Sequence, residues 1–262
     1  MKDALKQLAQ SLLHRLARPS ARLRRLRQAA LAAPFPRRWR DVLRARCRHY
    51  ERLSPLLQTR FRQQVQVFLT EKKVTGVEMR VNAEMRVLVA ASAVSLSVGW
   101  PDYTWDQLAE VLLYPDNFDR DYNFGGTDIS GQAHPWGIVI LSAPALNRSF
   151  EEASHSFHVG FHEFAHLLDL MQTQFDGIPA GLSDDSIRRW LAIVDDEQRR
   201  LRRGDSILDP YALTGTVEFF PTAVEAFFQM PVRLADSHAA LYDFLSSYFA
   251  QDPASWDRAT GS

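Results

Sequence analysis

The sequence predicts an α+β fold, mostly helical, with a small sheet ahead of a central helix. Three observations predict it. Helical apolar spacing runs through most of residues 1–72, and three short apolar segments between 77 and 142 read as strands. From residue 155 onward the pattern is helical again, broken at residues 177–181, 204–210 and Pro231.

Residues 1–33 read as one or two basic helices, with Leu5, Leu8, Leu12 and Leu16 at helical spacing and Pro19-Ser20 as punctuation. Pro34-Phe35-Pro36 marks a boundary, so the expected division is a basic helical extension, 1–33, and one domain, 34–262. Residues 38–53 and 55–72 read as helices, the second with Leu57, Phe61, Val65 and Phe68 along one face. Segment 77–81 (VEMRV) reads as a short strand. Segment 86–98 is Ala-rich and apolar, and reads as a buried helix. Segment 111–114 (VLLY), ended by Pro115, is a second strand, and 136–142 (WGIVILS) a third. Between them, 119–134 is rich in Asp, Gly and Asn and reads as a loop, long enough to lie over a site as a lid.

The 262 residues are 46% apolar and 24% charged, an ordinary globular balance that can bury a core without staples. Cys47 is the one cysteine, which excludes an intrachain disulfide and a four-thiolate zinc site. A reducing cytoplasm is the expected compartment. Net charge is zero but uneven, because residues 1–50 hold fourteen Lys and Arg against Asp3 and Asp41. No apolar run reaches membrane-spanning length, and Lys6, Arg15, Arg18 and Arg22 interrupt the apolar core a secretory signal needs. A basic face can meet nucleic acid or acidic lipid. No aromatic residues interleave with these arginines and no base-reading motif appears, so a solvated helix on the domain is the simpler reading.

The strongest chemical signal is His162-Glu163-Phe164-Ala165-His166. On a helix, residues four apart stand one turn apart on one face, so both imidazoles reach a single ion. Glu163 projects beside them, placed to take a proton from water without binding the ion. Zinc lowers the pKa of a water it binds to about 7 and polarises a carbonyl, and the neighbouring carboxylate relays the proton. HExxH is short and also arises on solvated helix faces. Here Leu167, Leu168, Leu170 and Met171 continue an apolar helix, and burying two histidines beside a glutamate is costly unless something compensates.

Catalytic zinc takes three protein ligands. Residue 169 is Asp and residue 172 is Gln, so no third histidine follows at metzincin spacing. Glu218, in the apolar run 217–228, is the candidate third ligand, against the alternative of a surface glutamate. Glu225, two turns on, is a candidate acceptor for a ligand imidazole, and Asp169 a candidate for orienting an imidazole or capping backbone. His155 and His158 can be read with His162 and His166 as one helix face, which would open a second metal site; helix-start polar residues are the simpler reading. Gly160 weakens that helix or lets another element approach closely.

HEFAH followed by Leu168-Asp169, Asp176-Gly177-Ile178-Pro179, YALTGTVEFF at 211–220 and Glu225-Ala226-Phe227-Phe228 resembles the Mlc titration factor A (MtfA) family of zinc metallopeptidases. The resemblance takes in 111–115, 137–142, Leu241-Tyr242 and Gln251-Asp252-Pro253, about residues 34–255. It implies a zincin-like fold related to the anthrax lethal factor catalytic core, and one zinc ion on His162, His166 and Glu218. It implies Glu163 as general base and Tyr211 as donor to the transition-state oxyanion. Without it, Tyr211 reads as a packed aromatic. It also implies aminopeptidase-type cleavage of a peptide or protein substrate, and a glucose-responsive transcriptional repressor as partner. A repressor-sequestering protein with a non-catalytic zinc site is the competing reading. The strand at 136–142, with His134 at its entrance, is the expected edge for an extended substrate.

Overall fold

The computed structural model describes residues 20–124, 129–151, 156–171 and 174–260. The leucines at 5, 8, 12 and 16 and His155 lie outside them. Ser20 caps the first described helix, α1 (Ala21–Ala32), its hydroxyl accepting the Leu23 N–H at 3.1 Å. The region expected as one helix over 38–53 is two, α2 (Arg37–Arg46) and α3 (Arg48–Arg52), split at the buried Cys47. α4 (Pro55–Glu71) has Ser54 as cap and proline in its first turn. α1 packs along α4, and Arg27 bonds Glu71 and, at 2.6 Å, Asp106.

β1 is Lys73–Gly76, ahead of the expected 77–81, which forms the turn into α5 (Ala83–Ser97). The apolar alternation of VEMRV misled here: Val77 still donates to the Leu113 carbonyl at 2.9 Å, but Glu78 turns the chain with φ 54°. β2 is Glu110–Tyr114. β3, Gly131–His134, lies inside the stretch expected to be loop. Gly-Gln-Ala-His has weak strand propensity, and pairing with β4 (Ile138–Ser142) decides its conformation. The sheet order is β1-β2-β4-β3, with β1, β2 and β4 parallel and β3 antiparallel. β4, expected to be the edge, is therefore interior, and β3 is the edge beside it. A strand as apolar as IVILS belongs between neighbours, with both faces covered.

α6 (Ala143–Glu151) leads to α7 (Val159–Leu168), every residue of which is buried. α7 packs against α5, buried from Val87 through Ser97. Gly160 is the point of closest approach, where a Cβ would collide with Ser92. A two-stranded hairpin, β5 (Leu170–Met171) and β6 (Gln174–Phe175), turns the chain toward the long α8 (Asp184–Arg203), closed by Gly204 at φ 77°. A 3₁₀ turn (Pro210–Leu213) precedes α9 (Phe219–Gln229), which lies against α7. α10 (Pro231–Ser237), α11 (Ala239–Phe249) and α12 (Pro253–Thr260) complete the fold. Phe164 sits at the centre of the core, edge-on to Phe68 and Trp105. Among the described residues no helix is long and apolar enough to cross a membrane.

The chain end is tied to the core through Gln251, whose Nε2 donates to the Ser95 carbonyl at 2.9 Å while its Oε1 meets His49 Nε2 at 3.1 Å. Burial pushes the His49 imidazole down to about 4, helped by Arg52 and opposed by the Gln251 bond. The native state therefore keeps His49 neutral where the unfolded chain takes up a proton, near the ordinary 6.5. This contribution to stability is intact above pH 6.5 and is lost as pH falls toward 4, at a limiting slope of about 1.4 kcal/mol per pH unit. In urea unfolding across that window, His49→Gln should show a shallower pH dependence than the parent; equal slopes would refute the assignment.

Candidate metal centre

Two buried helices present the site. His162 and His166 stand one turn apart on α7, and Glu218 sits at the mouth of α9. His162 Nε2 lies 3.1 Å from Glu218 Oε2, and His166 Nε2 lies 3.5 Å from the same oxygen. Among the described residues these three form the one group able to hold a metal ion, their ligand atoms all within 4.8 Å of one another. Ligands about 2.0–2.1 Å from a tetrahedral zinc ion are separated by about 3.3 Å, so the spacing fits.

Glu225 fixes the donor chemistry of the first imidazole. Its Oε1 lies 2.7 Å from His162 Nδ1, and its Oε2 accepts the His158 backbone N–H at 2.6 Å. With Nδ1–H donating to Glu225, Nε2 turns its lone pair toward Glu218. Two acceptors then face each other unless a cation lies between them. Without a metal a proton takes that place. Burial opposes charge on His162, but Glu218 and Glu225 outweigh it and hold its pKa well above the ordinary value. Burial likewise opposes charge on Glu218, yet the two imidazoles hold its carboxyl down at about 2. A divalent ion satisfies all three facing atoms where one proton serves two.

Glu163 is 5% exposed, and burial pushes its carboxyl above the ordinary range against the pull of the two imidazoles. A buried carboxylate beside a metal position is suited to accept a proton. Tyr211 is half exposed, with its ring centroid 5.8 Å from that of His162. Partial burial and the carboxylates of Glu218, Glu163 and Glu225 raise its pKa, so the phenol stays a proton donor. Asp209 positions it by accepting the Tyr211 N–H at 2.8 Å.

The remaining expected residues divide. Asp169 Oδ1 accepts the Asp176 N–H at 2.8 Å and so caps the turn after α7; it makes no hydrogen bond to His166, whose Nδ1 has no partner among the described residues. His158 does not share the metal face. It is the N-cap of α7, its Nδ1 accepting the Phe161 N–H at 3.2 Å and its ring stacked on Phe161, and burial drives its pKa down to about 3. The helix begins at Val159, too late for His158 to join His162 and His166 in one stripe. His134 stacks on Trp136 at 4.6 Å, outside the metal cluster.

A cavity of about 320 Å³ opens beside His162 and Glu163, walled by Ile129, Phe157, Tyr211 and Ala226. The predicted lid thus contributes Ile129, Ser130 and Gly131 to the cavity, while 125–128 lie outside the described residues. Gly131, Phe157 and Asp209 carried no recognisable signal in the sequence; a glycine in a loop and an aspartate before proline read as turn residues.

A zincin-like α+β fold with two helix-borne histidines and a carboxylate from a neighbouring helix defines a class of metal-dependent hydrolases. Comparison with known proteins narrows it. The model of the glucose-regulated metallo-peptidase M90 family matches residues 21–250, and the chain belongs to that family. An uncharacterized protein of Synechocystis is 28% identical over 236 residues, covering 84% of this chain and 86% of its own. Mlc titration factor A of Edwardsiella ictaluri is 26% identical, with 78% and 80% covered, and that of Klebsiella pneumoniae strain 342 is 28% identical, with 80% and 84% covered. The match begins within the basic segment, at the start of α1.

Removing the Glu225 carboxylate leaves a buried imidazole and a buried backbone N–H without their acceptor. Metal-free Glu225→Ala should unfold with about 3 kcal/mol less free energy than the parent in denaturant titration. A difference under about 0.5 kcal/mol would mean that the bridge contributes little.

Proposed function

We propose that this chain is a zinc-dependent peptidase with one ion held by His162, His166 and Glu218. The observation that carries the proposal is the approach of both imidazole Nε2 atoms to one oxygen of Glu218, beside a buried carboxylate that is not part of the triangle. A bound zinc ion supplies Lewis acidity, lowering the pKa of a water and polarising the scissile carbonyl. Glu163 accepts a proton from the attacking water as its oxygen bonds to the carbonyl carbon. It then delivers that proton to the amine nitrogen as the C–N bond breaks. Tyr211 donates a hydrogen bond to the tetrahedral oxyanion. Glu225 keeps His162 in the tautomer that leaves Nε2 free. The substrate is a peptide or protein segment, with one side chain in the cavity walled by Ile129, Phe157 and Ala226, and with its backbone along the edge strand β3. Aminopeptidase-type cleavage is the mode we adopt from the family resemblance. The buried, unpaired Cys47 fits a cytoplasmic protein.

The name of the Mlc titration factor A relatives favours a second reading, in which the chain sequesters a transcriptional repressor. The two readings separate in one variant. Glu163→Gln should keep one zinc per chain by metal analysis and lose about 10²–10⁴-fold in peptide turnover. If hydrolysis persists undiminished, Glu163 is not the base; if neither protein hydrolyses any peptide while both bind a repressor, the second reading stands. Tyr211→Phe should retain zinc and lose about 10²–10³-fold in kcat with KM little changed. Loss of zinc in that variant would instead make Tyr211 part of the metal site.

A further inference from the structure

Where the edge strand β3 packs on the metal helix, one of its residues, Gly131, has no side chain. A Cβ built on Gly131 would lie 2.6 Å from Glu163 Oε1, 2.7 Å from Glu163 Cγ and 2.7 Å from Val159 Cγ2. All three are well inside contact distance, and two belong to the buried Glu163 side chain beside the metal triangle, one of them a carboxylate oxygen. Gly131 is not among the residues with positive φ, so its backbone demands no glycine. It is paired with Leu141 in an ordinary antiparallel ladder, where glycine is a poor choice on propensity alone. What the position requires is the missing Cβ.

We propose that Gly131 is a positioning residue for Glu163: the bare strand backbone forms the wall that holds the carboxylate at its place beside the metal ligands. The inference rests on the reading of Glu163 as general base for its catalytic consequence, but not for its structural one. Glu163 extends from α7 near the imidazoles of its own helix and the carboxylates of Glu218 and Glu225. Gly131 borders it from the strand and lines the same cavity as Glu163 and His162. Any side chain at 131 must displace either the carboxylate or the strand. The arrangement also joins the site to its substrate track, because the strand that walls the base is the sheet edge on which an extended peptide would pair.

Val159 makes the test decisive, since it shares the collision but takes no part in the chemistry. In Gly131→Ala, kcat should fall at least 100-fold with KM within threefold of the parent and zinc content unchanged. The crystal structure should show the Glu163 carboxylate swung away from residue 131. Val159→Ala alone should keep the parent turnover. The double variant Gly131→Ala/Val159→Ala clears the helix-packing clash and so folds even where the single variant does not, yet it should stay as slow as Gly131→Ala. Recovery of turnover in the double variant would overturn the proposal, because the loss would then come from strand–helix packing. An unmoved carboxylate, with the strand displaced and turnover within twofold, would overturn it too. If the parent hydrolyses no peptide, the peptidase reading fails, while the carboxylate position in the two structures still decides the role of Gly131.

Discussion

The bridge made by Glu225 is the interaction on which the site depends. One carboxylate binds His162 Nδ1 with one oxygen and the His158 N–H with the other, so it joins α9 to both the first turn and the first metal-facing side chain of α7. An α-helix leaves its first N–H groups without internal partners, and a negative charge is favoured there. Glu225 meets that need and fixes an imidazole tautomer at the same time. Glu218 lies seven residues earlier, two turns along the same face. Once Glu225 locks the helices in register, Glu218 is carried to the Nε2 atoms. The geometry of the metal triangle thus rests on two packed helices and on the turn that ends at Glu218, the N-cap of α9.

This concentration of charge is expensive in a metal-free protein. Three carboxylates and two imidazoles share a region where Glu163, Glu225, His162 and His166 are each less than a tenth exposed. Burial raises the carboxyls of Glu163 and Glu225, while the imidazole of His162 is held charged by its acidic neighbours. One positive charge distributed among these groups leaves several competing demands on the same proton. A divalent ion at the triangle would return His162 to its neutral form and relieve Glu218, leaving Glu225 to accept a neutral N–H and Glu163 to respond to the ion alone. Separating those roles requires the charge at one place, and the three ligand atoms mark it.

The sequence disclosed the cluster of His162, His166 and Glu218 more readily than the strands around it. HEFAH was legible because its spacing matches one helical turn inside an apolar stretch. Glu218 and Glu225 were legible because acidic residues within FFPTAVEAFF-like surroundings need partners. The helices were found within a few residues, apart from the break at Cys47, the unforeseen α6, and the end of α7 at Leu168, beyond which Leu170 and Met171 form β5 where a continuing helix was expected. The strands were harder. VEMRV looked like β1 because it alternates, whereas the strand is the less apolar KVTG beside it, chosen by its ladder with β2. GQAH looked like loop, because nothing in its composition announces a strand held by pairing with β4. That miss moved the expected edge onto IVILS and concealed Gly131. For His158 the simpler reading holds: a histidine four residues before His162 could share its face, but the cap conformation, φ −142° and ψ 98°, makes it a helix-start polar residue bonded to backbone.

The described part of the basic segment packs as the simpler reading has it, as a helix lying on the domain. α1 lies against α4, and Arg27 reaches two acidic residues, Glu71 at the end of α4 and Asp106 in the approach to β2. The family match also covers all of α1, which precedes the Pro34-Phe35-Pro36 boundary. Charge alone could not distinguish a helix that meets a polyanion from one that meets its own protein, because both need arginine. Burial of Ala30 and the pairing of Arg27 assign at least one side of α1 to the protein's own surface, and the exposed Arg22 and Arg25 lie away from it. The asymmetry of charge along the chain is in part an internal match, with basic residues of the first described helix answering acidic residues that come later.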